Sequence, residues 1–195
     1  PSARTLSLDL PPFTLIAATT RENLLSSPLR SRFGATFRLN YYDPEDIKKI
    51  LRRSAVILKA NATEEAVGIL AKASRATPRV ANRLLKRARD YAEVKGERII
   101  DDKVALKTLE LLEIDNLGLE PQDRRLIQII IQKFNGGPVG VNTLAAALNE
   151  EKGVIEDIYE PYLMSLGFVS RSSAGRLALP AAYDHLGIKR RGELL

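Results

Sequence analysis

Leu6, Leu8 and Leu10 alternate with polar or charged neighbours ahead of Pro11-Pro12, the period-two pattern of a half-buried strand. The run Phe13-Thr14-Leu15-Ile16-Ala17-Ala18 is apolar on both faces and predicts a buried parallel strand. Ser26-Ser27-Pro28 then opens a short helix that Gly34 closes, and Thr36-Phe37-Arg38-Leu39-Asn40 alternates again as a short strand. From Asp43 the period becomes helical. Asp43-Pro44-Glu45-Asp46 starts one helix with Ile47, Ile50, Leu51 and Leu58 on its apolar face, and Thr63-Glu64-Glu65 starts a second. Thr77-Pro78 starts a third, with Val80, Ala81, Leu84, Leu85, Ala88 and Tyr91 on one side; Asp101 or Asp102 starts a fourth.

Residues 113–120 carry mixed charge, Gly118 and no apolar period, and read as a linker. Beyond them Pro121 opens a helix to Phe134, Gly136-Gly137-Pro138 breaks it, and Asn142 caps a short helix to Leu148. Residues 154–166 form a further helix closed by Gly167. Residues 168–171 and 176–179, joined by Ser172-Ser173-Ala174-Gly175, read as a hairpin. Three helices followed by a hairpin is the order of a winged helix-turn-helix.

Composition narrows the chemistry. In 195 residues there is no cysteine, one methionine, no tryptophan and one histidine, His185, so disulfides, Cys/His metal clusters and His-based triads are excluded. His185 itself reads as a surface or partly packed residue. No segment approaches the roughly 20 apolar residues of a membrane span. The Pro1-Ser2-Ala3-Arg4 start is neither an initiator Met nor a signal peptide, and the chain reads as the rear part of a longer cytoplasmic protein. The net charge of +6 is modest, but residues 75–98 hold eight basic against three acidic groups and residues 161–195 five against two. Both windows are candidate phosphate-facing surfaces.

Arg30 and Arg32 stand two apart beside a helix end and a glycine, where a guanidinium can reach an anion; an isolated Arg-x-Arg is ordinarily a salt-bridged surface pair. Arg79, just behind Thr77-Pro78, lies at the positive end of a helix, suited to phosphate or simply to solvent.

Taken together, the strings Ala18-Thr19-Thr20, Ser27-Pro28-Leu29-Arg30-Ser31-Arg32-Phe33-Gly34, Tyr42-Asp43-Pro44-Glu45 and Thr77-Pro78-Arg79-Val80-Ala81-Asn82-Arg83-Leu84-Leu85 closely resemble the RuvB family. These are the bacterial AAA+ motors of Holliday-junction branch migration. The resemblance continues through Arg89-Asp90-Tyr91-Ala92, Asp123-Arg124-Arg125, Phe134-Asn135-Gly136-Gly137-Pro138, Glu160-Pro161-Tyr162-Leu163 and Gly167-Phe168. It implies a mainly α (α+β) chain: the end of an AAA+ α/β ATPase domain over residues 1–40, a helical lid over 41–117 and a C-terminal winged-helix domain over 118–195.

The resemblance implies roles as well. Thr20 matches the first sensor and Arg32 the arginine finger given to a neighbouring subunit, with Arg30 the weaker choice; Arg79 matches the second sensor and Tyr42 a residue at the nucleotide edge. Arg171 and Arg176 match a DNA-contacting pair on the wing, and Lys152 is a further basic candidate. Leu6 and Leu8 match a hairpin that docks onto RuvA, or else fill the protein's own core. The cofactors implied are ATP and Mg2+, with no Gly-x-x-x-x-Gly-Lys-Ser/Thr loop and no paired acids at a strand end in this sequence. The partners are double-stranded DNA at Holliday junctions, a RuvA-like junction binder, the RuvC resolvase complex and five further copies in a hexamer, in recombination and SOS repair.

Three positions depart from the family pattern. Ala17 and Ala76 stand where glycine is common, and Ser172-Ser173-Ala174 replaces a more basic wing tip. The helix before the wing shows Glu156, Asp157 and Glu160, which repel phosphate and argue against base reading. A winged-helix regulator or adaptor without catalysis, and a clamp-loader-like AAA+ subunit, are the alternative readings.

Overall fold

A computed structural model describes residues 10–20 and 22–190. The chain divides into two units, Pro1–Asn40 and Tyr41–Leu195. In the first, the described residues form a 3-10 turn, Glu22–Leu24, and a single-turn helix α1, Ser27–Arg30. Pro28 supplies the preset first turn, and Ser31, at the C-cap, donates its Oγ hydrogen to the Pro28 carbonyl at 3.1 Å.

The strands expected at residues 13–18 and 36–40 are not formed among the described residues. Phe13, Ile16, Phe37 and Leu39 are instead 67–91% exposed. An isolated apolar strand has no ladder partner for its N–H and C=O groups, and no described strand lies beside these segments. Leu6 and Leu8 lie outside the described residues.

The second unit begins with four helices that pack on one another: α2 (Pro44–Ile57), α3 (Glu64–Lys72), α4 (Pro78–Lys95) and α5 (Asp102–Leu111). Local chemistry sets their starts. The side chains of Asp43, Thr63 and Asp101 accept from the N–H groups of Asp46, Ala66 and Val104 at 2.9, 3.2 and 2.8 Å. Helix α4 stops at Gly96, whose φ of 72° few other residues adopt cheaply. Helical spacing puts Ile47, Leu51, Leu70, Leu84 and Leu85 fully inside, each such side chain contributing about 1.5–3 kcal/mol by leaving water.

A second core is built from α6 (Pro121–Lys133), α7 (Val141–Leu148), which a single turn α8 (Lys152–Val154) with no buried residue follows, α9 (Glu160–Ser165), the antiparallel hairpin β1 (Val169–Ser172) and β2 (Gly175–Ala178), and α10 (Pro180–Leu186). Asn142 does not cap α7 as the sequence suggested: Gly140 holds the N-cap position and Asn142 lies inside the helix. The expected helix over 154–166 is interrupted by a π-helical turn, Ile155–Tyr159. Pro161 follows it at the start of α9, and its missing N–H leaves a gap in the hydrogen-bond ladder.

In the hairpin Arg171 faces Arg176, and Val139 bridges to Arg176 from the other side through N–H···O bonds of 2.9 and 2.8 Å. A side chain at Gly175 (φ 140°) would lie 2.5 Å from the Val139 carbonyl oxygen, so only glycine permits this approach.

The predicted linker is a fixed connection. Asp115 Oδ1 accepts from the N–H groups of Leu117 and Leu119, both at 2.9 Å, and its Oδ2 meets His185 Nε2 at 2.8 Å. Arg124 donates to the carbonyls of Leu119 and Glu113 at 2.6 and 2.8 Å. Leu119 is fully buried. A segment without apolar periodicity is thus ordered by side chains that satisfy its backbone.

Candidate functional site

The start of α4 is the one helix start of the four-helix core that lacks a side-chain cap among α2 to α5. Thr77 occupies the N-cap position, yet its Oγ1 donates to the Ser74 carbonyl at 3.2 Å rather than accepting from the helix. The N–H groups of Arg79 and Val80 therefore remain at an open positive helix end, with no acidic residue in the first turn. The Arg79 side chain is exposed there, with no ion pair among the described residues. Tyr42, 48% exposed, is joined to the same turn: its N–H donates to the Ala76 carbonyl at 3.1 Å. Arg79 and Tyr42 are thus brought together at one edge of the helical core. Arg75 and Ala76, just before, have φ values of 55° and 53°, the left-handed region. Ala76 is the position where the resembled family commonly has glycine.

Thr20 lies in a bend and is exposed. Arg32 follows α1, its N–H donating to the Leu29 carbonyl at 3.2 Å, and its side chain, like that of Arg30, is exposed. The hydrogen-bonded turn holds the backbone of both arginines while leaving their guanidiniums accessible to an external anion.

On the wing the two expected DNA contacts differ. The Arg171 side chain is 49% exposed and makes a close ion pair with Glu160. Arg176 is buried, at 8%, and does not present an open guanidinium. Its Nε donates to Glu160 Oε1 at 2.6 Å and its Nη2 to Glu156 Oε1 at 3.0 Å, and these carboxylates raise its already high pKa. Of the expected DNA-contacting pair, Arg176 thus ties the wing to the preceding helix, and Arg171, though paired with Glu160, is the more exposed. The expected repulsive role of Glu156 and Glu160 changes too, because Glu160 is 1% exposed and both acids are neutralised by the wing. Lys152 is half-exposed, 3.9 Å from Glu156.

The basic window 75–98 is similarly reduced. Arg75 pairs with Asp123, Arg83 with Glu120, and Arg87 and Arg89 with Asp90. The Arg75 guanidinium donates to Asp123 at 3.1 and 3.3 Å and lies 4.4 Å over the Tyr162 ring. Asp123 is fully buried; burial pushes its carboxyl up, against the opposing pull of Arg75 and of the Glu120 N–H. The Tyr162 hydroxyl donates to the Leu117 carbonyl, and burial raises it to about 12.

Sequence reasoning passed over Arg75, Asp123, Glu160 and Tyr162 as interacting residues. Three of them occur in strings quoted for the resemblance, but ion pairs 48 and 16 positions apart leave no periodic signal. His185 is half-buried at this same joint, against Asp115 and 5.0 Å from the Phe168 ring.

Three family models match in succession: the Holliday junction DNA helicase RuvB P-loop domain over residues 1–39, the RuvB AAA lid domain over 42–115 and the RuvB C-terminal winged helix domain over 116–187. The chain belongs to the RuvB family. Among solved structures, a lysine-to-arginine mutant of Thermotoga maritima RuvB is 44% identical with a TM-score of 0.88, covering 95% of this chain and 62% of that one. An arginine-to-alanine variant of the same protein is also 44% identical, with a TM-score of 0.86 over 91% of this chain and 60% of its own. A structure described as the T. maritima RuvB Holliday junction branch migration motor is 43% identical, with a TM-score of 0.82 over 86% of this chain and 56% of its own. The chain thus spans about three fifths of these RuvB proteins. The lid and winged-helix models meet inside the ordered segment 113–120, between the two hydrophobic cores.

Proposed function

We propose that this chain is the lid- and DNA-bearing portion of an ATP-driven motor that migrates Holliday junctions along duplex DNA. The observation that carries the reading is the succession of RuvB domain models over residues 1–187. The geometry supports it at two places within Tyr41–Leu195: an exposed Arg79 on an uncapped helix start, and an exposed Arg171 on the wing.

The donor set at residues 42 and 77–80 fits a nucleotide's phosphate edge: an exposed cation, open N–H groups and an aromatic side chain. ATP bound there supplies the phosphoryl group whose transfer releases energy. Arg79 would hold the γ-phosphate of its own subunit's nucleotide, and Tyr42 would border the nucleotide. Thr20 would orient a water, and Arg32 would reach into a neighbouring subunit's site to counter developing charge, a role worth about 10³–10⁵ in rate. Among the described residues no group of three or more His, Cys, Asp or Glu is placed to hold a metal, so Mg2+ ligands are assigned to none of them. Arg171 would contact the sugar-phosphate backbone without reading bases, with Lys152 as a secondary contact and Arg176 holding the wing in place. A hexameric ring, a RuvA-like partner contacted through Leu6 and Leu8, the RuvC complex and a cytoplasmic location complete the proposal. No helix among the described residues is long and apolar enough to cross a membrane.

The test is branch migration of a synthetic four-way junction by the full-length parent protein, with and without ATP and a RuvA-like partner. Migration should require both, and Arg32→Ala should abolish hydrolysis, retain nucleotide binding and poison mixed rings. Tight binding to one duplex sequence with no migration would replace this reading with a regulator.

A further inference from the structure

Arg75 lies where three structural features meet. It is in the left-handed turn that accepts the Tyr42 N–H at Ala76 and leads two residues later into the open start of α4. Its guanidinium leaves that turn and enters the winged-helix domain, held by both oxygens of buried Asp123 and stacked on Tyr162. Tyr162 in turn binds the Leu117 carbonyl, within the segment that joins the two cores. The joint is also closely packed at backbone level: a side chain at Gly118 (φ 80°) would lie 2.4 Å from the Ala73 carbonyl oxygen and 3.1 Å from Arg75 Cγ.

We infer that Arg75 is a positioning residue that couples the nucleotide-facing turn to the winged helix, so that a rotation of the lid carries the wing with it. Three features favour coupling over simple adhesion between domains. The pair is charged yet buried, 14% and 0% exposed, so separating the partners would leave a carboxylate uncompensated away from water. Its fork geometry and stacking fix orientation as well as distance, which lysine cannot reproduce. It also emanates from the turn that holds Tyr42 and precedes Arg79. The inference rests on the proposed reading of Arg79 as a nucleotide contact and of Arg171 as a DNA contact.

Two measurements test it. Because the chain has no cysteine, Glu65→Cys on α3 and Ser173→Cys on the wing accept spin labels without background. Their separation should be a single narrow distribution in the parent chain and a broad one after Arg75→Lys, with Asp123→Asn as the second, near-isosteric variant. An unchanged distribution in both overturns the inference. In the full-length motor Arg75→Lys should keep ATP hydrolysis within about twofold while branch migration falls at least tenfold. A proportional fall in both, with a lowered melting temperature, would show only a structural role and also overturns it. If the wild-type motor migrates no junction, the proposed function fails, while the distance measurement still decides whether Arg75 locks lid to wing.

Discussion

Single residues in this molecule trade backbone comfort and ionisation against position. Ala76 keeps φ at 53°, where a Cβ is strained by roughly 1–2 kcal/mol, partly offset by glycine's greater freedom when unfolded. Ala76→Gly should therefore raise stability by about 0.5–1 kcal/mol, read as a higher urea midpoint with an unchanged slope. Tyr162 makes the opposite kind of statement. Its hydroxyl, buried and donating to Leu117, is raised to about 12 from its ordinary 10, so the folded state keeps a proton that the unfolded chain has lost between those values. That stability is fully present below pH 10 and is lost as the pH rises towards 12. Tyr162→Phe should flatten the alkaline fall in urea midpoint, and an ultraviolet titration should lose its latest-ionising tyrosine.

At the scale of elements, the wing is held by its neighbours rather than by its own two strands. A two-stranded hairpin is marginal alone. Here Val139 extends it, Gly175 allows that approach, and Arg176 ties β2 to Glu160 and Glu156. The two wing arginines should consequently separate by experiment. Arg171→Ala leaves Glu160 still paired with Arg176, so it should lower the melting temperature less than Arg176→Ala, weaken DNA binding evenly across sequences and reduce the salt slope by roughly 0.9. Arg176→Ala removes a partner from a buried carboxylate and should lower the melting temperature by several degrees, with any loss of DNA binding following from the disturbed wing. Equal thermal effects of the two would refute this division. The hairpin was legible from its small-residue turn, Ser172-Ser173-Ala174-Gly175, and from the helices that precede it, because local pattern dictates local structure. The π-helical turn was not: Pro161 was visible, but a proline near a helix start does not by itself announce the five-residue turn before it. The strands expected at residues 13–18 and 36–40 failed for a related reason, since a strand's existence rests on partners that its own sequence does not encode.

For the whole molecule, the segment 113–120 reads from the sequence as a linker, and the lid and winged-helix models do meet within it; what the sequence does not show is that Asp115, Arg124 and the Arg75–Asp123–Tyr162 cluster tie it down. Polar side chains reaching across dozens of residues created that order, and no windowed pattern registers them. The candidate nucleotide and DNA residues were found through the family strings rather than through periodicity. Burial, visible only in the fold, then separated Arg171 from Arg176.

The stapled junction also has a consequence for how the chain breaks. A protease needs several residues of backbone to detach and enter its cleft as an extended strand. Residues 113–120 cannot do so without exposing Leu119 and releasing the backbone held by Asp115 and Arg124, whereas residues 35–43 are exposed and lie outside any helix or strand. Limited digestion with subtilisin should therefore cut near residue 40 and leave the lid and winged helix together in one resistant fragment rather than as two.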